Sequence, residues 1–136
     1  MPSIQYTTPR TRSSNFLGTV ANGIASGTES AVVTYDNSGN KDPYAILTLK
    51  LGSMTPSTGG SVSIRVTIND GTDTSDKVGG EIIQFPLTSG TSAKIGIQKC
   101  NLPPFSLRMS VINNSGVALP GSGNELYVRS WSEETV

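Results

Sequence analysis

Apolar and polar residues alternate along seven short stretches of the chain, and glycine, proline, asparagine and serine are frequent in the intervals between them. In residues 61–68 every second side chain is Val or Ile, and in residues 105–112 every second one is Phe, Leu, Met or Val. Successive side chains of a β-strand point to opposite faces, so a period of two predicts strands that bury one face. The predicted strands are residues 30–35, 44–51, 61–68, 81–87, 93–99, 105–112 and 125–131.

The spacing of these stretches predicts an all-β fold, because no window of helical length has apolar residues at a period of 3.6. The three longest predicted loops are residues 52–60, 69–80 and 113–124. Loops of this length permit crossings between sheets, so we expect a two-sheet β-sandwich with jelly-roll or Greek-key connectivity. The alternation also places Ile68 on the inward face of its strand, and it groups Ala93, Ile95 and Ile97 on one face.

The N-terminal region differs from the rest of the chain and predicts an extended arm. It contains Arg10 and Arg12, no acidic residue and no clean alternation. The predicted boundaries are residues 1–27 for the arm and 28–136 for the β-sandwich domain. One interpretation is a frayed terminus. The other is an arm that lies on a neighbouring subunit, anchored by Phe16 and Leu17, with both arginines paired to acids distant in sequence or on another chain.

The second interpretation of the arm implies a homo-oligomer, and we expect a trimer or a dimer of closed symmetry. The sequence holds ten basic and ten acidic residues. A neutral chain lacks the excess of positive charge that nucleic-acid binding requires, so we expect no direct nucleic-acid partner. The first 30 residues lack the continuous apolar segment of a signal peptide, and no stretch is long enough for a membrane helix. We therefore expect a protein that is made in the cytoplasm and does not bind membranes.

The residue types needed for catalysis are largely missing, which predicts that the protein is not an enzyme and uses no cofactor or metal. The chain has no histidine, and Cys100 is its one cysteine. A nucleophilic cysteine needs an activating base or cation, so we interpret Cys100 as a small buried side chain beside a strand end. Asp70, Asp73 and Asp76 lie three residues apart on a loop and could offer oxygens to Ca²⁺, but the spacing of a calcium loop is absent. We favour a solvated loop tip.

Two aromatic residues of the last predicted strand form a possible contact patch. Tyr127 and Trp131 are four residues apart and fall on the same strand face. Such a pair is typical of a platform for carbohydrate or of a subunit contact, and it can equally pack under the N-terminal segment. Separately, Asn113-Asn114-Ser115 matches the N-glycosylation pattern, which we interpret as turn composition.

The last third of the chain resembles a family of structural proteins from tailed bacteriophages. The resemblance is carried by LPPF at 102–105, VINNSGVAL at 111–119, SGNELYVR at 122–129 and the acidic end WSEE at 131–134. The proteins that the chain resembles are capsid cement, or decoration, proteins of jelly-roll or β-sandwich fold. The resemblance implies a virion protein on the outer surface of the capsid that binds the major capsid protein and stabilises the head. A tail or head-fibre module and a carbohydrate-binding β-sandwich module are the alternatives.

Overall fold

The computed structural model describes residues 2–68, 72–73 and 80–135. Within them the chain forms ten strands and no helix. The strands are β1 (Ile4–Tyr6), β2 (Thr28–Glu29), β3 (Val33–Asp36), β4 (Tyr44–Met54), β5 (Ser61–Thr67), β6 (Glu81–Pro86), β7 (Ser92–Asn101), β8 (Ser106–Asn114), β9 (Glu125–Trp131) and β10 (Glu133–Thr135). All seven predicted strands are present, and β1, β2 and β10 are additional short strands.

Two antiparallel sheets form the sandwich, which confirms the predicted fold class. One sheet has the order β2–β8–β5–β6, and β3 also pairs with β8 farther along it. The other has the order β7–β4–β9. From β3 to β9 the chain changes sheet at every connection except the one between β5 and β6, as expected of jelly-roll or Greek-key connectivity. A separate ribbon joins β1 to β10, so it brings the two ends of the chain together.

The core lies between the inner faces of the two sheets. The predicted alternation is confirmed for Val62, Ile64 and Val66 of β5 and for Leu107, Met109 and Val111 of β8, which are all buried there. Its largest fully buried side chains are Phe85, Leu17, Leu47, Leu49, Ile64, Leu107, Met109, Leu126, Val62, Val66, Val111 and Val128. Burying side chains of this size contributes about 1.5–3 kcal/mol each, which drives the packing of one sheet on the other.

Strand β7 departs from the ordinary apolar-inward pattern. Ile95 and Ile97 share a face as predicted, but that face is the outer one, where they are 66% and 62% exposed. Gly96 occupies the inner side because Phe85 from the opposite sheet fills the space there. A Cβ atom at this position would lie 2.5 Å from the Phe85 ring. Ile68 was also predicted inward, but it follows the last residue of β5 and is 47% exposed.

Asn113, which begins the glycosylation-like triplet, is a buried structural residue. Its side-chain amide donates to the carbonyl oxygens of Ile24 (3.0 Å) and Val117 (2.8 Å). Its Oδ1 accepts hydrogen bonds from the backbone N–H (3.0 Å) and the hydroxyl (2.7 Å) of Ser115. Both amide hydrogens are therefore used inside the protein, in agreement with the interpretation of the triplet as turn composition.

Candidate functional site

The N-terminal arm lies antiparallel along the free edge of β9 in its own chain. Four of its backbone N–H groups, spaced three residues apart, donate to carbonyl oxygens of β9 and the residue after it. These bonds join Thr7 to Ser132 (2.9 Å), Arg10 to Ser130 (2.9 Å), Ser13 to Val128 (2.8 Å) and Phe16 to Leu126 (3.3 Å). The arm advances three residues for every two of β9, so it follows the edge without forming a regular ladder.

Side-chain oxygens of the arm satisfy the outward N–H groups of the same edge. The N–H of Ser132 donates to Thr7 Oγ1 (2.9 Å), that of Val128 to Ser13 Oγ (2.9 Å) and that of Leu126 to Asn15 Oδ1 (3.0 Å). An exposed strand edge is a template for unwanted pairing, and natural sheets protect such edges. The polar run of the arm, which shows no strand periodicity, thus covers the β9 edge.

Arg10 has its partner within the same chain. Its guanidinium binds the carboxylate of Asp42, which is 1% exposed and also accepts a hydrogen bond from the Ser130 hydroxyl (2.7 Å). Binding to Arg10 lowers the pKa of Asp42, and the Ser130 bond lowers it further. The sequence predicts that Arg10 pairs with an acid distant in sequence or on another chain. Asp42 is such a distant acid, 32 positions away in the same chain.

The other three arm residues singled out in the sequence also contact their own chain. The guanidinium of Arg12 lies 3.8 Å from the ring centroid of Tyr127, a cation–π contact. Phe16 is half-buried, and its ring centroid is 5.7 Å from that of Tyr35. Leu17 is 1% exposed and belongs to the core. Leu17, which we predicted to contact a neighbouring subunit, thus packs between the two sheets of its own chain.

The outer face of the β7–β4–β9 sheet is a candidate interaction surface, because Ile95 and Ile97 are exposed on it. Directly opposed residues share a face, so the register defines its rows across β7, β4 and β9. The rows are Asn101, Tyr44 and Trp131; Lys99, Ile46 and Arg129; Ile97, Thr48 and Tyr127; and Ile95, Lys50 and Glu125. The face thus combines an aromatic end, an aliphatic centre and several charged side chains.

A shallow groove occupies the centre of this face. It has a volume of about 290 Å³ and is lined by Arg12, Ile46, Thr48, Ile97 and Arg129. With Arg12 from the arm, the face carries four basic side chains, and Glu125 is the acidic member of its rows. An aliphatic centre with basic groups around it suits a protein partner that presents apolar and acidic side chains.

A cleft at the end of the face gathers the aromatic residues. Tyr44 of β4 and Trp131 of β9 are direct cross-strand neighbours, with ring centroids 6.0 Å apart and an interplanar angle of 26°. Tyr6 of β1 stands nearly perpendicular to both, at 5.8 Å from Tyr44 and 6.4 Å from Trp131. The cleft has a volume of about 320 Å³ and is lined by Tyr6, Tyr44, Ala45, Glu81, Lys99, Cys100, Asn101 and Trp131.

The structure gives the two residues of the predicted contact patch different surroundings. Tyr127 and Trp131 lie on the same outer face, but Tyr127 lies beneath Arg12 in the central region, whereas Trp131 belongs to the aromatic cleft. Sequence reasoning identified Tyr6 and Tyr44 as exposed aromatic residues that could stack on sugars, but it did not predict that they lie beside Trp131. The pair could have been located because β4 begins with an aromatic residue and β9 ends with one. The start of one strand lies beside the end of the other when two neighbouring strands are antiparallel.

Other candidate chemistry is limited in the described residues. Cys100 is buried in β7, and desolvation raises its pKa to about 12, so the thiol stays protonated and poorly reactive. No group of three or more metal-ligating side chains occurs in residues 2–68, 72–73 and 80–135. Of the three aspartates considered for Ca²⁺, Asp70 and Asp76 lie outside the described residues. No helix long and apolar enough to span a bilayer is found in the described part of the chain.

Comparisons with known proteins show a likeness in structure but no match in sequence. No family model matches the chain, and no curated protein matches it. A crystal structure of the enzymatically active domain of tailspike protein 4 from bacteriophage CBA120 aligns over 100% of this chain at 11% sequence identity, with a TM-score of 0.36. This chain spans 19% of the length of that chain.

Proposed function

We propose that the protein is a structural component of a tailed-phage virion, a cement protein that binds the major capsid protein on the outer surface of the head and stabilises the shell. The proposal rests on the sequence resemblance carried by residues 102–134 together with one feature of the fold. That feature is the outer face of the β7–β4–β9 sheet, which leaves Ile95 and Ile97 about two-thirds exposed.

The exposed isoleucines support a protein-binding role. A strand that only covers the core points its large aliphatic side chains inward, whereas β7 points them outward and has Gly96 between them. Contiguous apolar surface on a folded domain marks an interaction site when polar groups surround it. Here Ile97 lines the central groove with Ile46, beside the charged side chains of Arg12 and Arg129. Ile95 is the next outward residue along β7.

The charge of this face favours a partner of different surface chemistry over a face-to-face dimer. Two copies pairing through the same face would oppose two surfaces that each carry the basic side chains Arg12, Lys50, Lys99 and Arg129. Like charges opposed in an interface cost several kcal/mol. A protein surface that presents both acidic and apolar side chains complements the basic and the aliphatic parts of the face. Homo-oligomerisation into a dimer or trimer remains a prediction, and it would use another surface.

The location of the protein in the particle separates the proposal from a tail or fibre module. Purified virions of the encoding phage would be separated into heads and tails, and each fraction would be measured by quantitative mass spectrometry. A cement protein co-purifies with heads in a copy number comparable to that of the capsomers. Recovery with tails, or in only a few copies per particle, would contradict the proposal and favour the tail or fibre module.

A further inference from the structure

The aromatic cleft lies at the end of the outer face that is farthest from Ile95, and it has the composition of a small-ligand site. Its three rings come from β1, β4 and β9, which are far apart in sequence. The Tyr44 row of the cleft and the Lys50 row, which contains Ile95, are six residues apart along β4. At about 3.3 Å per residue, the cleft lies about 20 Å from Ile95. A volume of about 320 Å³ falls at the lower end of the range for small-ligand sites.

The ring geometry makes the aromatic residues a platform. A cage that encloses a cation needs space between its walls, with each ring centroid several ångströms from the charge. Here the centroids of Tyr6, Tyr44 and Trp131 are only 5.8–6.4 Å apart, the distance at which aromatic rings contact one another. The rings therefore fill the space between themselves, and only their outer surfaces remain for a ligand.

The polar groups around this platform favour an uncharged ligand with many hydroxyls. Glu81 supplies a carboxylate, Lys99 an ammonium and Asn101 an amide. One negative and one positive group cancel, so the lining selects neither an anion nor a cation. Within the described part of the chain, no hydrogen bond or ion pair involves the side chains of these three residues. Acceptor and donor groups are thus available beside an apolar ring surface.

The Tyr44 ring is held in place by a hydrogen bond to Glu133, a residue outside the cleft lining. The Tyr44 hydroxyl donates to Glu133 Oε1 at 2.8 Å, which joins the start of β4 to β10. The same bond raises the pKa of Tyr44, so its hydroxyl stays protonated. The β1–β10 ribbon in turn carries Tyr6 to the platform. The rings are therefore positioned by strand pairing and side-chain contacts before any ligand arrives, which reduces the entropy lost on binding.

We propose that this cleft binds a neutral saccharide, with the apolar face of one sugar ring against Trp131, Tyr6 contacting the edge of that sugar, and the sugar hydroxyls bonded to Glu81, Lys99 and Asn101. Sugars combine an apolar ring face with a polar rim, and the cleft presents the complementary arrangement. A virion protein with such a site would bind glycans in addition to its capsid contact.

A glycan array tests the proposal, carrying neutral hexose and N-acetylhexosamine oligosaccharides beside sialylated and uronic-acid oligosaccharides. The full chain should bind members of the neutral set, and the strongest of them would then be measured by isothermal titration calorimetry. Trp131→Ala should weaken that binding by about tenfold or more, which corresponds to about 1.4 kcal/mol. Tyr127→Ala is the matched control, since it removes an aromatic residue of the same face outside the cleft.

Tyr6→Ala gives a second test in case Trp131→Ala fails to fold, because Tyr6 is 66% exposed and outside the core. It should also weaken the binding of the same glycan. The absence of any glycan binding would overturn the proposal, as would binding confined to acidic glycans or equal loss in Tyr127→Ala. None of these results bears on whether the protein is found on heads, so the failure of this inference is distinguishable from the failure of the capsid assignment.

Discussion

The arm gives the sharpest quantitative prediction, because Leu17 is a core residue within a segment that otherwise follows a sheet edge. Its side chain is 1% exposed. Truncating a buried leucine to alanine costs about 2–5 kcal/mol, which combines lost transfer free energy with the cavity that remains. We therefore expect Leu17→Ala to lower the free energy of unfolding by an amount in this range.

The expected change in melting temperature is the loss of unfolding free energy divided by the entropy of unfolding, which scales with chain length. For 136 residues the entropy of unfolding is about 0.29 kcal/mol/K. Leu17→Ala should thus lower the melting temperature by about 7–17 °C. Ile97→Ala is a matched control of similar chemistry, because Ile97 is 62% exposed and its truncation leaves no cavity. Its effect on stability should be within about 0.5 kcal/mol of zero.

Thermal and urea unfolding followed by circular dichroism measure both variants. A melting temperature of Leu17→Ala equal to that of the wild type would refute the docking of the arm in the core. It would restore the interpretation of residues 1–27 as a frayed terminus. Equal losses in Leu17→Ala and Ile97→Ala would instead show that β7 is oriented with its isoleucines inward.

Two further predictions concern titratable groups. Arg10 and Ser130 lower the pKa of Asp42 below its ordinary value near 3.8, so its stabilising effect is fully present above that value and is lost as the pH falls through the lower folded pKa. Urea unfolding at a series of pH values should therefore show a smaller acid loss in Asp42→Asn than in the wild type, and identical acid limbs would contradict the ion pair. Burial of Cys100, with its pKa raised to about 12, predicts slow labelling by a thiol reagent at pH 8 and complete labelling in denaturant. Rapid native labelling would contradict its burial.

The strands were predictable from sequence because the apolar core contacts only one face of each strand, which imposes a period of two on Val62, Ile64 and Val66 and on the matching residues of β8. The sequence did not allow us to predict which face of β7 carries Ile95 and Ile97. The period of β7 is equally clear, but the sequence of one strand does not show that Phe85 of the opposite sheet fills the space beside Gly96. The physical choice between the two faces depends on the shape of the partner sheet.

The candidate site was predictable in part. Trp131 was identified from its own strand, whereas its neighbours Tyr44 and Tyr6 lie 87 and 125 positions earlier in the sequence and are brought close to it by antiparallel pairing. The arm was similarly difficult to place. Its contacts to β9 use the side chains of Thr7, Ser13 and Asn15, which leave no alternation in the sequence.

The proposed capsid contact through the outer face of the β7–β4–β9 sheet can be tested directly by co-sedimentation. The test uses purified capsids that lack the protein, from the phage that the proposed function implies. The test variant is the double substitution Ile95→Glu and Ile97→Glu, which places two carboxylates at the aliphatic centre of the face. The matched control is Ile68→Glu with Ile82→Glu, two isoleucines that are each 47% exposed and lie elsewhere. We predict that the test variant loses capsid binding while the control binds like the wild type. Undiminished binding by the test variant would contradict the assignment of this face as the capsid contact.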